Sequence, residues 1–523
     1  MNIIVDKNSK EPMYWQIFNQ LKNKIIEGSI QDGAALPSER LMAEKLGVHR
    51  NTVIRAYGEL KAEQLVTSKQ GIGYRVSYGI DGGQGEKTSD YRGGISDCKG
   101  RDWESYSQKV RHRKERRKVR RNKGKEVNWD QMIKDEYRDM AEKFDSAFQK
   151  QGRDTKISMA VGIPPIIYDE EEIAGDIAYI LKENGRKESY ITPYQGDEEC
   201  RRQIINYLRG KGIRAKMSQI QVMSETNQAF DFIMTATLKP GDKIIIEEPV
   251  SPDVYRLISL NDCEAITVPV DEEGIKCDNL EPLIEKHNPK YIYINSSYHD
   301  PTGVCLSIGR KRKLLDISYK YRLPIIEDDS GSELNFFGDP EPTLKSMDRG
   351  NNVVYIYSFA LSFIPGLSIA FIVAPEELAK SLRYLVSVRL MSLEWVAQKL
   401  IARCLSDGSY IRKTGEIRRR NRENFRAACP YLDRLAKYGL DYIKPRGGVY
   451  VWCTLPPGMD SREIVAEAER RGVSFIAGTV FYPDKKGGKD KIRINFSNEK
   501  KQMIVEGMKI FSSLIKEIAE LSR

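Results

Sequence analysis

Histidine and closely spaced cysteines are scarce in this chain. Its 523 residues include only four histidines, and its eight cysteines are scattered without CxxC spacing. Structural zinc sites and disulfide frameworks need clustered ligands, so we expect neither, and we predict reduced, buried thiols. The chain has no run of about 18 apolar residues, the length of a membrane span, and no apolar signal core near its first residue. A cytoplasmic protein with no membrane partner is therefore predicted.

The net charge of +10 comes from one segment. Residues 109–125 hold eleven Lys or Arg residues and one Glu, so positive and negative charges balance over the rest of the chain. A basic run beside a DNA-binding domain can add sequence-independent contacts to phosphates. The alternative is a solvated run of charges in a linker that binds nothing specific. The sequence leaves both interpretations open.

Length and patterning divide the chain into three parts. A chain of 523 residues is too long for one ordinary domain. Residues 1–78 are predicted to form an N-terminal domain, and residues 79–155 a flexible basic linker with a helix from Trp129 to Phe148. Residues 156–523 are predicted to form the larger domain, with a smaller α+β subdomain from about residue 410.

The N-terminal domain has the pattern of a winged helix-turn-helix. Ser38 is placed to cap a helix, and Gly47 supplies the tight turn between two helices. Apolar residues repeat at helical spacing before the turn and after it. The predicted helices span residues 12–28, 39–46 and 51–64, and the predicted strands of the wing span residues 66–69 and 73–76.

These residues resemble the GntR-type winged helix-turn-helix of transcription regulators over their whole length, including the motifs LPSER, VHRNTVIRAY and QGIGYRV. The resemblance implies double-stranded DNA as the partner, with the recognition helix in the major groove. Arg50 and Asn51 can make bidentate contacts to guanine and adenine. The alternatives are a winged helix that contacts only protein and, for His49, a helix cap. The residues implied to contact DNA are Arg40, His49, Arg50, Asn51, Thr52, Arg55 (near a phosphate), and Gly71 and Gly73 (in the wing).

In the larger domain, buried strands alternate with amphipathic helices. This alternation predicts an α/β fold with a mostly parallel sheet covered on both faces. Predicted strands span residues 243–248, 265–269, 291–295, 324–327, 353–359 and 369–373, followed by residues 449–454 and 491–496 in the smaller subdomain. Predicted helices span residues 227–238, 279–287 and 311–321, and a long helix is predicted around Ser387 to Leu405.

Residues 157–515 resemble the class I/II aminotransferase fold, the fold type I arrangement of pyridoxal-phosphate enzymes. The resemblance is carried by IIIEEPVSP, the DPTG turn, PIIEDDSGSE, YIYSFALSFIPGLS, RGGVYVW and IRINFSN. A GntR-type winged helix followed by this fold is the arrangement of MocR-type regulators. It implies a homodimer with an amino-acid-like effector, and pyridoxal phosphate is the cofactor by family resemblance alone.

The resemblance places a leucine where the cofactor lysine should be. In the family, this lysine falls three residues after a phosphate-binding Ser or Thr; Ser358 is present here, but the lysine position is Leu361. Leucine has no nucleophile and cannot form a Schiff base, so we predict a catalytically inactive domain in which Leu361 fills the space of the lysine. Asn227 and Asp328 keep cofactor-binding positions, and Arg493 keeps that of the arginine that binds the substrate carboxylate.

Four further positions depart from the family pattern. Ser330 replaces a tyrosine, Ser368 replaces an arginine that neutralises the phosphate, and Glu225 replaces a small residue at the start of the phosphate-binding helix. Asp300 stands where an asparagine is common.

The predicted function is a DNA-binding regulator with an effector-sensing and dimerisation domain. The alternatives are a working aminotransferase fused to a winged helix, and a large domain that only pairs subunits.

Overall fold

The structure is a computed structural model made of two units, Met1–Glu126 and Val127–Arg523. The basic run at 109–125, Gly71 and most of the helix predicted from Trp129 to Phe148 lie outside the described residues. The structure describes residues 3, 5–6, 12–26, 29–31, 33–62, 65–69, 73–77, 129–134, 137, 156–162, 168–188, 192–338, 341–484 and 486–521.

The first unit confirms the helix-turn-helix and the wing. The Ser38 hydroxyl accepts a hydrogen bond from the Leu41 N–H and caps the second helix, and Gly47 ends that helix in the left-handed region at φ 60°. The first helix buries Ile17, Phe18 and other apolar residues of one face against the third helix. The elements are α1 (Met13–Ile26), α2 (Glu39–Leu46), α3 (Arg50–Ala62), and the antiparallel strands β1 (Val66–Lys69) and β2 (Gly73–Val76).

The second unit alternates strands and helices, as the sequence predicts. Its helices are α4 (Trp129–Met132), α5 (Glu170–Glu188), α6 (Glu198–Gly210), α7 (Thr226–Thr237), α8 (Pro252–Leu260), α9 (Leu280–His287), α10 (Ile308–Tyr321), α11 (Leu344–Met347), α12 (Glu376–Arg389), α13 (Trp395–Ser406), α14 (Ser409–Leu435), α15 (Ser461–Arg470) and α16 (Lys501–Leu521). Its strands are β3 (Ile157–Ser158), β4 (Ile220–Met223), β5 (Lys243–Glu248), β6 (Glu264–Asp271), β7 (Gly274–Ile275), β8 (Tyr291–Asn295), β9 (Ile325–Asp328), β10 (Val353–Ser358), β11 (Ala370–Val373), β12 (Asp441–Tyr442), β13 (Tyr450–Thr454), β14 (Val473–Ser474), β15 (Ile476–Ala477) and β16 (Lys491–Asn495).

An eight-stranded sheet is the centre of this unit. Its strand order is β4-β11-β10-β9-β8-β5-β6-β7, and the neighbours from β10 to β6 are parallel. Strand β11 runs antiparallel to both β10 and β4, and β7 runs antiparallel to β6. The four strands from β10 to β5 therefore end at one edge of the sheet, where ligands bind in open α/β folds. The predicted α/β fold with a mostly parallel sheet is confirmed.

A four-stranded antiparallel sheet of order β12-β13-β16-β15 forms the smaller subdomain. Strand β3, at the start of the larger domain, pairs in parallel with β14, and its Ile157 is buried in the same apolar core as Phe511 of α16. The subdomain therefore includes a segment far from residue 410 in sequence. The domain boundaries themselves stay predictions.

The prediction of one long helix around Ser387 to Leu405 is wrong. The structure has two helices, α12 and α13, separated by a link in which Met391 adopts φ 61°. The link is held by long-range hydrogen bonds: the Thr192 N–H donates to the Ser392 hydroxyl, and the Thr192 hydroxyl donates to the Leu393 carbonyl. Apolar periodicity continues across this link, so only these long-range contacts reveal the break.

The cysteines that the structure describes are unpaired, and five of them are buried. Within the described ranges, no helix is both long enough and apolar enough to span a bilayer. In the same residues, no cluster of His, Cys, Asp or Glu side chains is suited to a metal ion.

Candidate functional site

Helix α3, the predicted recognition helix, is held by a hydrogen bond to the turn that precedes α2. The buried Tyr57 hydroxyl donates a hydrogen bond of 2.9 Å to the Pro37 carbonyl. Arg50, the first residue of α3, donates from Nη2 and Nε to a single oxygen of Glu39, at 2.8 and 3.2 Å. The start of α3 and the start of α2 therefore form one surface, and half of the Arg50 side chain stays exposed. Glu39 was not singled out from the sequence, although it belongs to the LPSER motif.

His49 serves as a helix cap. Its Nδ1 accepts a hydrogen bond from the Asn51 N–H at 3.3 Å, which satisfies a free donor at the start of α3. Arg40 and Asn51 are exposed, and Thr52 is partly exposed. Their contacts with DNA stay predictions.

Arg55 and the wing complete the predicted DNA-binding set. The Arg55 guanidinium lies 3.8 Å from the centre of the Tyr14 ring, a cation–π contact between α3 and α1. Gly73 is the first residue of β2, whereas Gly71 lies outside the described residues. Tyr14 was also missed from the sequence, because its contact with Arg55 joins two separate helices.

A cavity of about 200 Å³ lies where the parallel strands end in the second unit. The last residues of β8, β9 and β10, which are Asn295, Asp328 and Ser358, all line it. The sequence-predicted residues Asn227 and Leu361 line it as well, together with Glu225, Asp300 and Ser330. The other lining residues are Thr226, Val250, Ser251, Val254, Tyr293, Ser297, Tyr298, Gly331, Leu334, Ala360, Gly448, Val449 and Tyr450.

Asp328 is held by partners from the protein itself. Its Oδ2 accepts a hydrogen bond of 2.9 Å from the Tyr293 hydroxyl, and its Oδ1 accepts one of 2.6 Å from the Ser330 hydroxyl. Burial raises the pKa of Asp328 above its usual value. Two hydroxyl groups of the protein therefore already hold this carboxyl group. Tyr293 was not predicted from the sequence as a site residue, although its position in an apolar strand, two residues before Asn295 at the strand end, could have indicated it.

Ser358 and Leu361 also contact other residues of the protein. The Ser358 hydroxyl accepts a hydrogen bond of 3.2 Å from the Ala360 N–H. Leu361 packs in an apolar cluster with Leu334, Ile417, Val449, Tyr298 and Tyr450. The leucine therefore contributes to an apolar wall of the cavity.

The start of α7, the predicted phosphate-binding helix, carries a carboxylate. Glu225 precedes the first residue of α7 and makes no capping hydrogen bond to that helix. Burial, and secondarily the nearby Glu394, raise the pKa of Glu225. The Asn227 amide donates a hydrogen bond of 3.3 Å to Asp253. Ser368 lies outside the set of cavity-lining residues, and its hydroxyl donates to a backbone carbonyl.

Arg493, the retained arginine, is paired with Asp300. Its Nη1 lies 2.5 Å from Asp300 Oδ1, and its Nη2 donates a hydrogen bond of 2.9 Å to the Ala160 carbonyl. Its guanidinium contacts the rings of Tyr450 and Phe481, at 4.1 and 4.9 Å from their centres. Arg493 is only 6% exposed. An internal carboxylate therefore occupies the place predicted for the carboxylate of a ligand.

A buried acid and a buried histidine lie beside the cavity. Glu247 Oε2 accepts a hydrogen bond of 2.7 Å from the Asn295 N–H and lies 3.6 Å from Nε2 of His299. Burial raises the pKa of Glu247 to about 8 and lowers that of His299 to about 3, so both side chains favour neutral forms near pH 7. A glutamate at the end of the apolar run IIIEE was the signal for this pair, but the sequence does not show what it faces.

Comparison with known proteins matches a part of each unit to the sequence model of a known family. Residues 168–509 match the sequence model of the family "Aminotransferase class I and II". This chain belongs to the aminotransferase class I and II family. Residues 13–76 match "Bacterial regulatory proteins, gntR family", so an aminotransferase class I and II domain follows a gntR-type helix-turn-helix, which is the MocR-type arrangement.

The relatives of this family member include enzymes and regulators. The chain is 28% identical to 2-aminoadipate transaminase of Thermus thermophilus over 70% of this chain and 91% of that protein. It is 25% identical to the HTH-type transcriptional regulator YdfD of Bacillus subtilis over 98% of both chains. It is 24% identical to the probable rhizopine catabolism regulatory protein MocR of Rhizobium meliloti over 90% of this chain and 88% of that protein.

Among solved structures, the chain is similar to LysN, an alpha-aminoadipate aminotransferase from Thermus thermophilus complexed with N-(5'-phosphopyridoxyl)-L-leucine. The TM-score is 0.69 at 25% identity, and the match covers 76% of this chain and all of LysN. Pyridoxal phosphate, the cofactor of the aminotransferase class I and II family, does not suit the residues found here. Among the described residues that line the cavity there is no Lys, Arg or His, whereas Glu225, Asp300 and Asp328 are acidic. The described residues of the cavity thus offer neither an amine for a Schiff base nor a cation for a phosphate.

Proposed function

We propose that this chain is a sequence-specific transcription regulator of the MocR type that acts on double-stranded DNA in the cytoplasm as a homodimer. Its aminotransferase-like domain senses a small molecule without covalent cofactor chemistry. The gntR-type winged helix and the HTH-type regulators that match nearly the whole chain support the DNA-binding part. Exposed Arg40, Asn51 and part of Arg50 supply groups suited to phosphates and base edges.

The observation that carries the sensing role is the cavity itself. It lies where the parallel strands end, and Leu361, the predicted position of the cofactor lysine, lies in its wall. A closed and fully packed site would favour a domain that only pairs subunits. A cavity of about 200 Å³ leaves room for a small ligand, which favours sensing.

DNA binding is tested by fluorescence anisotropy with duplexes from the region upstream of the gene. Arg50→Ala removes a predicted base contact at the start of α3, and we expect about a tenfold or greater loss of affinity for the specific duplex. Lys61→Ala is the matched control, because it removes one positive charge from the last turn of the same helix. Equal affinities for Arg50→Ala, Lys61→Ala and wild type would contradict the proposed interface.

The absence of cofactor chemistry is tested by absorbance of the purified protein with added pyridoxal phosphate. We expect no Schiff-base band and no adduct after borohydride reduction. A stoichiometric reduced adduct on any lysine, identified by mass spectrometry, would instead support the alternative of an aminotransferase fused to a winged helix.

A further inference from the structure

We infer that the cavity takes a small organic cation, an amine without a carboxylate or phosphate group. This inference rests on the proposed sensing function and names the ligand class of the same site. The family resemblance implies an amino-acid-like effector, and the inference narrows this class to amines that lack the carboxylate. Two carboxylates of the protein occupy the places where a cofactor and its substrate would present anionic groups, which leaves only the amino group of such a ligand to be recognised.

The first of these carboxylates is Glu225. The N-terminus of a helix attracts anions, because its free N–H groups and its dipole are positive. In the family, the start of this helix holds the cofactor phosphate. Here Glu225 stands at the start of α7 and lines the cavity, and its carboxylate has no hydrogen bond or ion pair with other described residues. A phosphate would therefore meet a negative charge, while an ammonium group would gain a partner.

The second carboxylate is Asp300. It pairs with Arg493 at 2.5 Å, and the guanidinium is further held by the Ala160 carbonyl and by the rings of Tyr450 and Phe481. A ligand carboxylate could take Nη1 of Arg493 only by displacing Asp300, and the two negative groups would then lie side by side; Nε of Arg493 is buried and has no hydrogen-bond partner among the described residues. Like charges brought together in a partly buried site are unfavourable. In the family this arginine anchors the substrate carboxylate, whereas here its Nη1 is already paired with a carboxylate of the protein.

The remaining walls suit an alkyl chain with an amine. Val250, Val254 and Leu361 provide apolar surface for methylene groups. Tyr298 adds an aromatic side chain, and aromatic rings attract ammonium groups through cation–π contacts, whereas the Tyr450 ring is already in contact with the Arg493 guanidinium. Because no positively charged residue lines the described part of the cavity, nothing there opposes a cationic ligand.

The test uses four-carbon probes that differ only in their end groups: butylamine, butane-1,4-diamine, 4-aminobutanoate and butanoate. Each is titrated into the full-length protein by calorimetry, with pyridoxal phosphate and inorganic phosphate as anionic probes. We expect saturable binding of the two amines. We expect 4-aminobutanoate to bind about tenfold or more weakly than butylamine, because its carboxylate finds no cation, and we expect no binding of the anions.

Two variants locate the binding. Glu225→Gln should weaken amine binding about five- to tenfold, because it removes the free carboxylate. Glu463→Gln, on the exposed face of α15, removes the same charge elsewhere and should leave affinity unchanged. The inference is overturned by the lack of amine binding, by 4-aminobutanoate or an anion binding at least as tightly as butylamine, or by Glu225→Gln behaving like Glu463→Gln.

DNA affinity measured with each probe separates this inference from the proposed function. Amine binding that leaves DNA affinity unchanged would overturn the sensing role while supporting the ligand class. A carboxylate-bearing probe that alone changes DNA affinity would overturn the ligand class while supporting the sensing role.

Discussion

Replacing Asp300 with Asn removes the negative charge that faces the buried guanidinium of Arg493 and keeps an amide oxygen in its place. Two unit charges 4 Å apart attract each other by about 4 kcal/mol at an effective dielectric constant of about 20. The Asp300 side chain is 28% exposed, so solvent weakens this attraction. The asparagine amide oxygen of the variant can still accept a hydrogen bond from Arg493, so part of the interaction energy is retained. We expect Asp300→Asn to lower the free energy of unfolding by about 2–3 kcal/mol.

The pair of Arg462 and Asp460 is the control; Asp460 also caps α15 by accepting a hydrogen bond from the Arg462 N–H, which an asparagine side chain can accept as well. Its closest atoms are also 2.5 Å apart, but its side chains are 60% and 23% exposed, whereas that of Arg493 is 7% exposed. Exposed ion pairs contribute less than about 1 kcal/mol, so Asp460→Asn should have a small effect. The two asparagine variants thus compare one chemical change at a buried arginine and at an exposed one.

Urea unfolding of the full-length protein, followed by tryptophan fluorescence and circular dichroism, measures the difference. Trp452, one of the five tryptophans of the chain, pairs with Arg493 across β13 and β16, so part of the fluorescence signal reports on this region. The double variant Asp300→Asn/Arg493→Met should recover part of the loss, because no unpaired guanidinium stays buried. A loss for Asp300→Asn no larger than that for Asp460→Asn would refute the conclusion that Arg493 depends on its internal partner.

Three further changes test other parts of the structure. Burial raises the pKa of Glu247 from about 4.5 to about 8, so the native state favours the protonated acid and loses stability as pH rises between these values. The Glu247→Gln variant lacks this titrating group, so its free energy of unfolding minus that of wild type should rise by a few kcal/mol between pH 5 and pH 8 in urea titrations. A difference that stays constant with pH would contradict the conclusion that Glu247 is protonated in the native state. A Cβ at Gly331 would lie 2.6 Å from a backbone carbonyl oxygen, whereas one at Gly366 would meet nothing within 4 Å. Gly331→Ala should therefore destabilise by about 1–3 kcal/mol and Gly366→Ala by less than about 0.5 kcal/mol in the same assay, and equal effects would contradict this packing. Glu39→Gln should lower the ratio of specific to non-specific DNA affinity about threefold or more in anisotropy titrations, because Glu39 holds Arg50 in position and a charge effect alone would leave the ratio unchanged.

The winged helix was predictable because its signals are local. The cap at Ser38, the left-handed Gly47 and the strands of the wing depend on neighbouring residues only, and the structure confirms each of them. The parallel strands were predictable for a related reason, since buried strands of such sheets are continuous apolar runs. The break between α12 and α13 was not predictable, because Thr192, about 200 residues away in sequence, holds the link.

The candidate site was predictable in its residues and not in its contacts. Leu361, Asp328 and Arg493 were identified by position in motifs, and the structure places Leu361 and Asp328 in the cavity wall. The pairing of Arg493 with Asp300 joins residues 193 positions apart, so no local pattern contains it. The buried pair of Glu247 and His299 likewise joins β5 to the segment that follows β8, so no local pattern contains it.

The sequence by itself determined the order of the two domains and many elements of each, and it predicts that Leu361 stands at the position of the cofactor lysine. These depend on residue identity and on short-range spacing, which are properties of the chain alone. The tertiary structure decided which charges in the cavity are already paired and which are open. Asp300 pairs with Arg493 while Glu225 has no partner among the described residues, because folding brings distant strands and helix ends to one edge of the sheet. That distribution of charge, and not the motifs, is what points to a cationic ligand.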